Sequence, residues 1–192
     1  MLSDMSSFET ARLSCRSLSL DEYQTYASGL EPGWDGFSNP YKHLIEGPNP
    51  MRHRIPRVNA DPSFAEIGLF IAVEKATREI VGSSGFHDFP DANGMIEIGY
   101  GIVPQKQNQG FGKELLLGSW NWISSFPGVK TLRYTVAPDN APSIHVIKSL
   151  SFDFKGEQID PEDGVELIYE LEIEKYLKVV GAEGFEPPTF SV

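Results

Sequence analysis

Polar and apolar residues alternate from Phe8 to Arg16, with Leu13 and Cys15 set against Arg12, Ser14 and Arg16. A two-residue period sends successive side chains to opposite faces, so this stretch predicts a first strand. Ser19 followed by Asp21 and Glu22 predicts a helix start, running to about Ser28 with Gly29 as its stop. Glu31 to Pro62 then shows no period; it is rich in Pro, Gly and Asn, and only a short helix near Tyr41–Ile45 is expected in it. From Glu66 the pattern turns strand-like. Ile67–Glu74 and Glu79–Phe86 are predicted strands joined by a turn at Lys75–Arg78. After the turn cluster Phe89–Gly94, Met95–Val103 is the third strand of an antiparallel meander, stopped by Pro104. Phe111, Leu115, Leu116, Trp120, Ile123 and Phe126 recur at three- and four-residue spacing, predicting a helix over Gly110–Phe126 that Pro127-Gly128 ends. A strand at Thr131–Ala137, a helix from Asp139 to about Leu150, and a strand pair at Phe152–Gln158 and Val165–Ile173 complete the series. Residues 1–178 therefore read as one domain, and 179–192, with little to bury, as a disordered tail.

Composition narrows the class. The 192 residues, 40% hydrophobic and 22% charged, are those of an ordinary globular domain. No run approaches the roughly 20 apolar residues that span a bilayer, so no membrane association is expected. The N-terminus shows no basic region followed by an apolar one, and the single cysteine, Cys15, excludes an internal disulfide framework; both point to the cytoplasm. A net charge of -11 argues against a nucleic-acid partner and is compatible with a cationic acceptor such as an amine. A monomer or a homodimer is expected, and no metal.

The chemistry concentrates in Gln107-Asn108-Gln109-Gly110-Phe111-Gly112-Lys113, between a strand and a helix. The first N–H groups of a helix lack internal partners, and the helix dipole adds partial positive charge there, which suits a phosphate. Glycine lets a ligand approach the backbone. A nucleotide P-loop is excluded, because its first Gly and its final Ser/Thr fall on Gln107 and Glu114. A dinucleotide fingerprint fails as well, because its third glycine falls on Leu115.

What matches is Gln-x-x-Gly-x-Gly at Gln107, Gly110 and Gly112. With Glu9-Thr10-Ala11-Arg12-Leu13, Glu97-Ile98-Gly99-Tyr100-Gly101-Ile102, Asn140, Ser143 and Leu150-Ser151-Phe152, the chain from Phe8 to Tyr176 resembles the GNAT acyltransferases. The ribosomal-protein N-acetyltransferase-like branch is the most similar. The resemblance implies an α/β GNAT fold, a mixed, mostly antiparallel central sheet flanked by helices. It implies acetyl-CoA as cosubstrate, with its pyrophosphate on the amides of Gln107 to Lys113 and its pantetheine arm near Ile102 and Val103. Asn140 and Ser143 would belong to the same site. The family often has Arg at position 107, so weaker CoA affinity is expected, with Lys106 or Lys113 as substitute cations. Ser151 replaces a usual glycine; a left-handed backbone there would cost up to about 1 kcal/mol.

Glu97 is the candidate base. It shares a strand face with Gly99 and Gly101, which leave room for a ligand, and a carboxylate can take the proton an ammonium acceptor must lose. His87 competes for the role. Ser143 could hydrogen-bond the leaving thiolate, since the family's tyrosine falls on Ile147. Glu31–Pro62 is the candidate wall of an acceptor pocket. The expected function is acetyl transfer to a primary amine, a protein N-terminus or a small molecule, by direct attack in a ternary complex. A non-catalytic acyl-CoA sensor or interaction module on the same scaffold is the alternative.

Overall fold

The computed structural model describes residues 5–46, 49–161 and 164–182. Two compact units emerge, Met1–Phe86 with Tyr100–Ser119, and His87–Gly99 with Trp120–Val192.

In the first unit, β1 (Ser7–Glu9) and β2 (Leu13–Ser17) form an antiparallel hairpin, with Phe8 opposite Cys15. The single strand expected over 8–16 is therefore two. The Thr10 hydroxyl accepts from the Leu13 N–H at 3.0 Å, and the Thr10 N–H donates to the Leu13 carbonyl at 2.9 Å. A side chain closes this turn, and no Gly or Pro announces it. Helix α1 (Leu20–Ala27) starts as expected, with Ser19 and Glu22 forming a capping box and Gly29 left-handed after its end.

The irregular stretch holds more structure than its sequence signals. Helix α2 (Met51–Ala60) occupies its second half, burying Met51, Arg54 and Val58 at helical spacing despite Pro56. Burial against the rest of the unit overrides poor propensity here. The short helix expected at 41–45 is absent. Lys42 and Leu44 have positive φ, and the Asn39 side chain bonds both the N–H and the carbonyl of His43, closing a loop instead. A short helix α3 (Ala65–Gly68) takes the start of the expected strand, so β3 begins at Phe70 (Phe70–Glu74). It pairs antiparallel with β2 and with β4 (Glu79–Phe86). Phe8 packs on Phe70 at 5.4 Å, and Leu13, Tyr23, Phe64, Leu115 and Leu116 are buried.

Strand β5 (Met95–Ile102) carries the chain through both units. In the first, the Val103 N–H donates to Val81; in the second, the His87 N–H donates to Glu97. Both bonds fit the antiparallel neighbour expected of a meander. Helix α4 (Phe111–Ile123) starts in the first unit and ends in the second.

In the second unit, β5 pairs in parallel with β6 (Thr131–Val136) from Met95↔Thr131 to Glu97↔Arg133. Helix α5 (Ala141–Ser149) is capped by Asn140, one residue later than the expected Asp139. Strands β7 (Asp153–Asp160) and β8 (Gly164–Glu172) form an antiparallel pair, and β8 also pairs antiparallel with β6. The strand pairing is thus mixed and mostly antiparallel. Trp120 stacks on Phe152 at 4.6 Å and meets the edge of Tyr176, whose hydroxyl donates to Asn121. Helix α6 (Ile173–Ala182) runs past the domain end expected at 178; the rest of the expected tail, 183–192, lies outside the described residues.

Candidate active site

After β5, a 3-10 turn at Pro104–Lys106 leads into the glycine loop. Gly110 has φ +82°, and Asn108 has φ +59°. Both are left-handed, and such a kink keeps α4 from extending backwards. Gly112 is small for a different reason. The Tyr100 ring lies 3.2 Å from where its Cβ would stand, so this glycine admits a neighbouring side chain. The N–H groups of Gly110, Phe111, Gly112 and Lys113 make no backbone hydrogen bond among the described residues. Four donors on one turn at the positive end of a dipole fit an anion.

The side chains of the loop divide. Lys106, offered as a phosphate cation, is instead paired with Glu74 at 2.6 Å and approaches Glu79 at 3.5 Å, nearly buried. The hydrogen bond it donates to Glu74 raises its pKa, so it stays charged and committed there. Lys113 has no ion-pair partner among the described residues. The Gln107 amide turns back to the Ile102 carbonyl at 2.9 Å. Since the Val103 N–H is spent on Val81, it is not open to a ligand; strand alternation turns the Ile102 N–H the other way.

Arg12, which the sequence offered only as part of a family segment, reaches this loop. Its Nη1 donates to the Gln109 carbonyl at 3.0 Å, its Nε donates to Glu114 at 2.6 Å, and its guanidinium lies 4.2 Å over the Phe111 ring. Burial raises the Glu114 pKa, but hydrogen bonds from Thr10 and Arg12 outweigh that and hold it below the usual carboxylate range.

A second cluster lies on β5 and its neighbours. Glu97 Oε1 accepts from the Thr135 hydroxyl at 2.6 Å and stands 3.5 Å from His87 Nδ1. Oε2 of Glu97 has no partner among the described residues. His87 Nε2 lies 3.0 Å from where a Cβ on Gly99 would stand, so the absent side chain at 99 makes room for the imidazole. The Gly101 position is open, with nothing within 4 Å. The two competing bases are thus one pair, and Thr135 is a partner the sequence did not reveal, because cross-strand neighbours depend on register. Glu97 is the more enclosed member, with 16% side-chain exposure against 47% for His87.

Asn140 and Ser143 form the cap of α5, where the Ser143 N–H donates to Asn140 Oδ1 at 3.2 Å and the Ser143 side chain is buried. Ser151 is left-handed at φ +61°. Cys15 is buried, and that burial pushes its thiol well up, away from nucleophilic reactivity. In the 31–62 stretch, His43 Nε2 meets Ser83 Oγ at 2.8 Å, and burial lowers the His43 pKa to about 4. Among the described residues no helix is long and apolar enough to cross a membrane.

The chain matches the acetyltransferase (GNAT) domain model over residues 43–153, more than half its length. An N-acetyltransferase called p20 from Bacillus licheniformis is 25% identical over 155 residues, 79% of this chain and 85% of the relative. A shorter stretch of 83 residues is 35% identical to the N-acetyltransferase YjdG of Bacillus subtilis, covering 43% of this chain and 49% of that one. Among solved structures, the ribosomal-protein-S5-alanine acetyltransferase of Vibrio fischeri superposes with a TM-score of 0.61 at 14% identity, covering 89% of this chain and 98% of that one. The spermidine/spermine N-acetyltransferase SpeG of Vibrio cholerae gives 0.62 at 13% identity, covering 88% and 96%. At such identities these structures establish the fold.

Proposed function

Because the chain belongs to the GNAT acetyltransferase family, we propose that it moves the acetyl group of acetyl-CoA to a primary amine by direct attack in a ternary complex. Family membership supports an acetyl-CoA-dependent N-acetyltransferase. The observation that carries the mechanism is Glu97: a carboxylate held on one oxygen by Thr135 and beside His87, with the other oxygen unspent.

The CoA diphosphate would take the amides of Gly110 to Lys113, with Gln107 to Gln109 forming the approach and Lys113 the accessible cation. Ile102 would pair with the pantetheine arm, and its outward N–H would polarise the thioester carbonyl. Val103, expected beside the same arm, would not offer its N–H, which is already used. Asn140 and Ser143 would serve the same cosubstrate, and the Ser143 hydroxyl would hydrogen-bond the leaving sulfur. Glu97 Oε2 takes a proton from the ammonium acceptor, directly or through water. The freed amine attacks the carbonyl carbon, the C–S bond breaks, and the second proton lost by the attacking nitrogen passes to the departing thiolate. His87, the more exposed partner, passes the proton to solvent.

The acceptor is an amine, a protein N-terminus or a small molecule. Proteins of the same fold are named for a ribosomal-protein alanine and for spermidine/spermine, one a protein and the other small amines. Glu97→Gln tests the mechanism, read as thiol release from acetyl-CoA with an amine panel. Loss of one general base costs about 10²–10⁴ in turnover, most at low pH where more acceptor is protonated, with CoA binding intact. Unchanged turnover across pH would remove Glu97 from the role.

A further inference from the structure

The segment Glu9–Leu13 carries family resemblance without a task, and Glu97, His87 and the glycine loop leave it none. Its place in the fold supplies one. Thr10 and Arg12 stand at the tip of the β1–β2 hairpin, and both grip Glu114 in the first turn of α4. The Thr10 hydroxyl (2.6 Å) and the Arg12 backbone N–H (2.7 Å) donate to Glu114 Oε1, while Arg12 Nε donates to Oε2. Glu114 is only 14% exposed. So anchored, the guanidinium cannot swing. It stacks on Phe111 and holds the Gln109 carbonyl through Nη1, and Nη2 stands 3.4 Å from where a Cβ on Gly110 would be.

The bond to Gln109 has a specific effect. In a helix that continued backwards, the Gln109 carbonyl would accept the Lys113 N–H. Arg12 takes that carbonyl, and the Lys113 N–H has no backbone partner among the described residues. The Lys113 donor therefore stays available with those of Gly110 to Gly112, and a fixed cation lies beside them. Lys106 cannot give that charge, being committed to Glu74, and Gln107 has none.

We propose that Arg12, clamped by Glu114, is a positioning residue for the CoA diphosphate. It holds the Gln109–Lys113 loop in its anion-binding form. This rests on the acetyl-CoA reading above. A lysine cannot replace it, because an ammonium lacks the planar fork that spans Gln109, Glu114 and the Phe111 face at once.

The test compares two ligands by titration calorimetry, CoA and pantetheine, which lacks the diphosphate. Arg12→Met and Arg12→Lys should each weaken CoA about tenfold or more, the scale of losing a charge-assisted hydrogen bond. Pantetheine affinity should hold, measured below the melting temperature of each variant. Glu114→Gln discriminates by sign. It removes a negative charge near the diphosphate, so a purely electrostatic account predicts tighter CoA binding. Positioning predicts weaker binding, because the amide cannot accept from Arg12 Nε and Thr10 together with the backbone N–H as the carboxylate does. Tighter binding by Glu114→Gln, equal losses for both ligands, or full rescue by lysine overturns the inference. Wild-type protein that binds CoA while Arg12→Met binds it equally well overturns the inference alone. Wild-type protein that binds no CoA overturns the acetyl-CoA reading, and this inference with it.

Discussion

Replacing Ser151 with glycine should stabilise the protein. Helix α5 ends at Ser149, Leu150 caps it, and Ser151 follows with φ +61°. Its N–H still reaches the Lys148 carbonyl at 3.1 Å, and the Phe152 N–H reaches Ile147 at 3.3 Å, so the left-handed turn satisfies the helix end and is kept. In that conformation an L side chain brings Cβ against the following carbonyl, costing about 1–2 kcal/mol. Glycine removes this cost but is freer in the unfolded chain, which returns roughly 0.5–1 kcal/mol. Ser151 is exposed, so no packing is lost. The net gain is about 0.5–1 kcal/mol, which for a chain of this size raises Tm by roughly 1–4 °C. Equilibrium urea unfolding of Ser151→Gly should show a higher midpoint at unchanged slope, with kinetics unaffected. His145→Gly, inside the helix and exposed, is the control and should destabilise. A midpoint that falls or stays put for Ser151→Gly would show that the left-handed turn carries no strain, and the sign argument would fail.

Two more expectations concern charge. His43 has its pKa lowered to about 4 by burial against Ser83. The unfolded chain binds the proton more readily, so stability present at neutral pH is lost as pH falls from about 6.5 toward 4, on the order of 2 kcal/mol for this group. Unfolding free energies at pH 7 and pH 5 should differ by more in the wild type than in His43→Gln. Gln107→Arg should tighten CoA binding by up to about tenfold at low salt, with the gain shrinking as ionic strength rises; calorimetry showing no gain would mean that a cation at this exposed position does not reach the diphosphate.

The elements with strong periodicity were legible: α1 with its capping box, β4, β5 and α4 all lie where the pattern puts them. The glycine loop was legible too, because Gly110 announces a backbone that only the chain around it requires. What was not legible depends on register or tertiary burial. Helix α2 carries Pro56 and a polar composition, and only the buried faces of Met51, Arg54 and Val58 explain it. The hairpin break at Thr10 is closed by a hydroxyl, a device without a turn residue. Thr135 reaches Glu97 through the β5–β6 register, and Arg12 reaches Gln109 across a span of nearly a hundred residues. Lys106 shows the reverse error. Adjacency in sequence made it a phosphate cation, and its pairing with Glu74 removes it.

The four unspent N–H groups at Gly110 to Lys113 have a consequence for how such a site drifts. A main-chain amide does not titrate, so the anion contact it makes is indifferent to pH. Every residue type but proline carries one, so exchange at Phe111 or Lys113 leaves the donors in place. The loop is therefore marked less by residues it must have than by those it resists: proline within the turn, a side chain at Gly110, where φ +82° strains any Cβ, and one at Gly112, where the Tyr100 ring stands 3.2 Å from it.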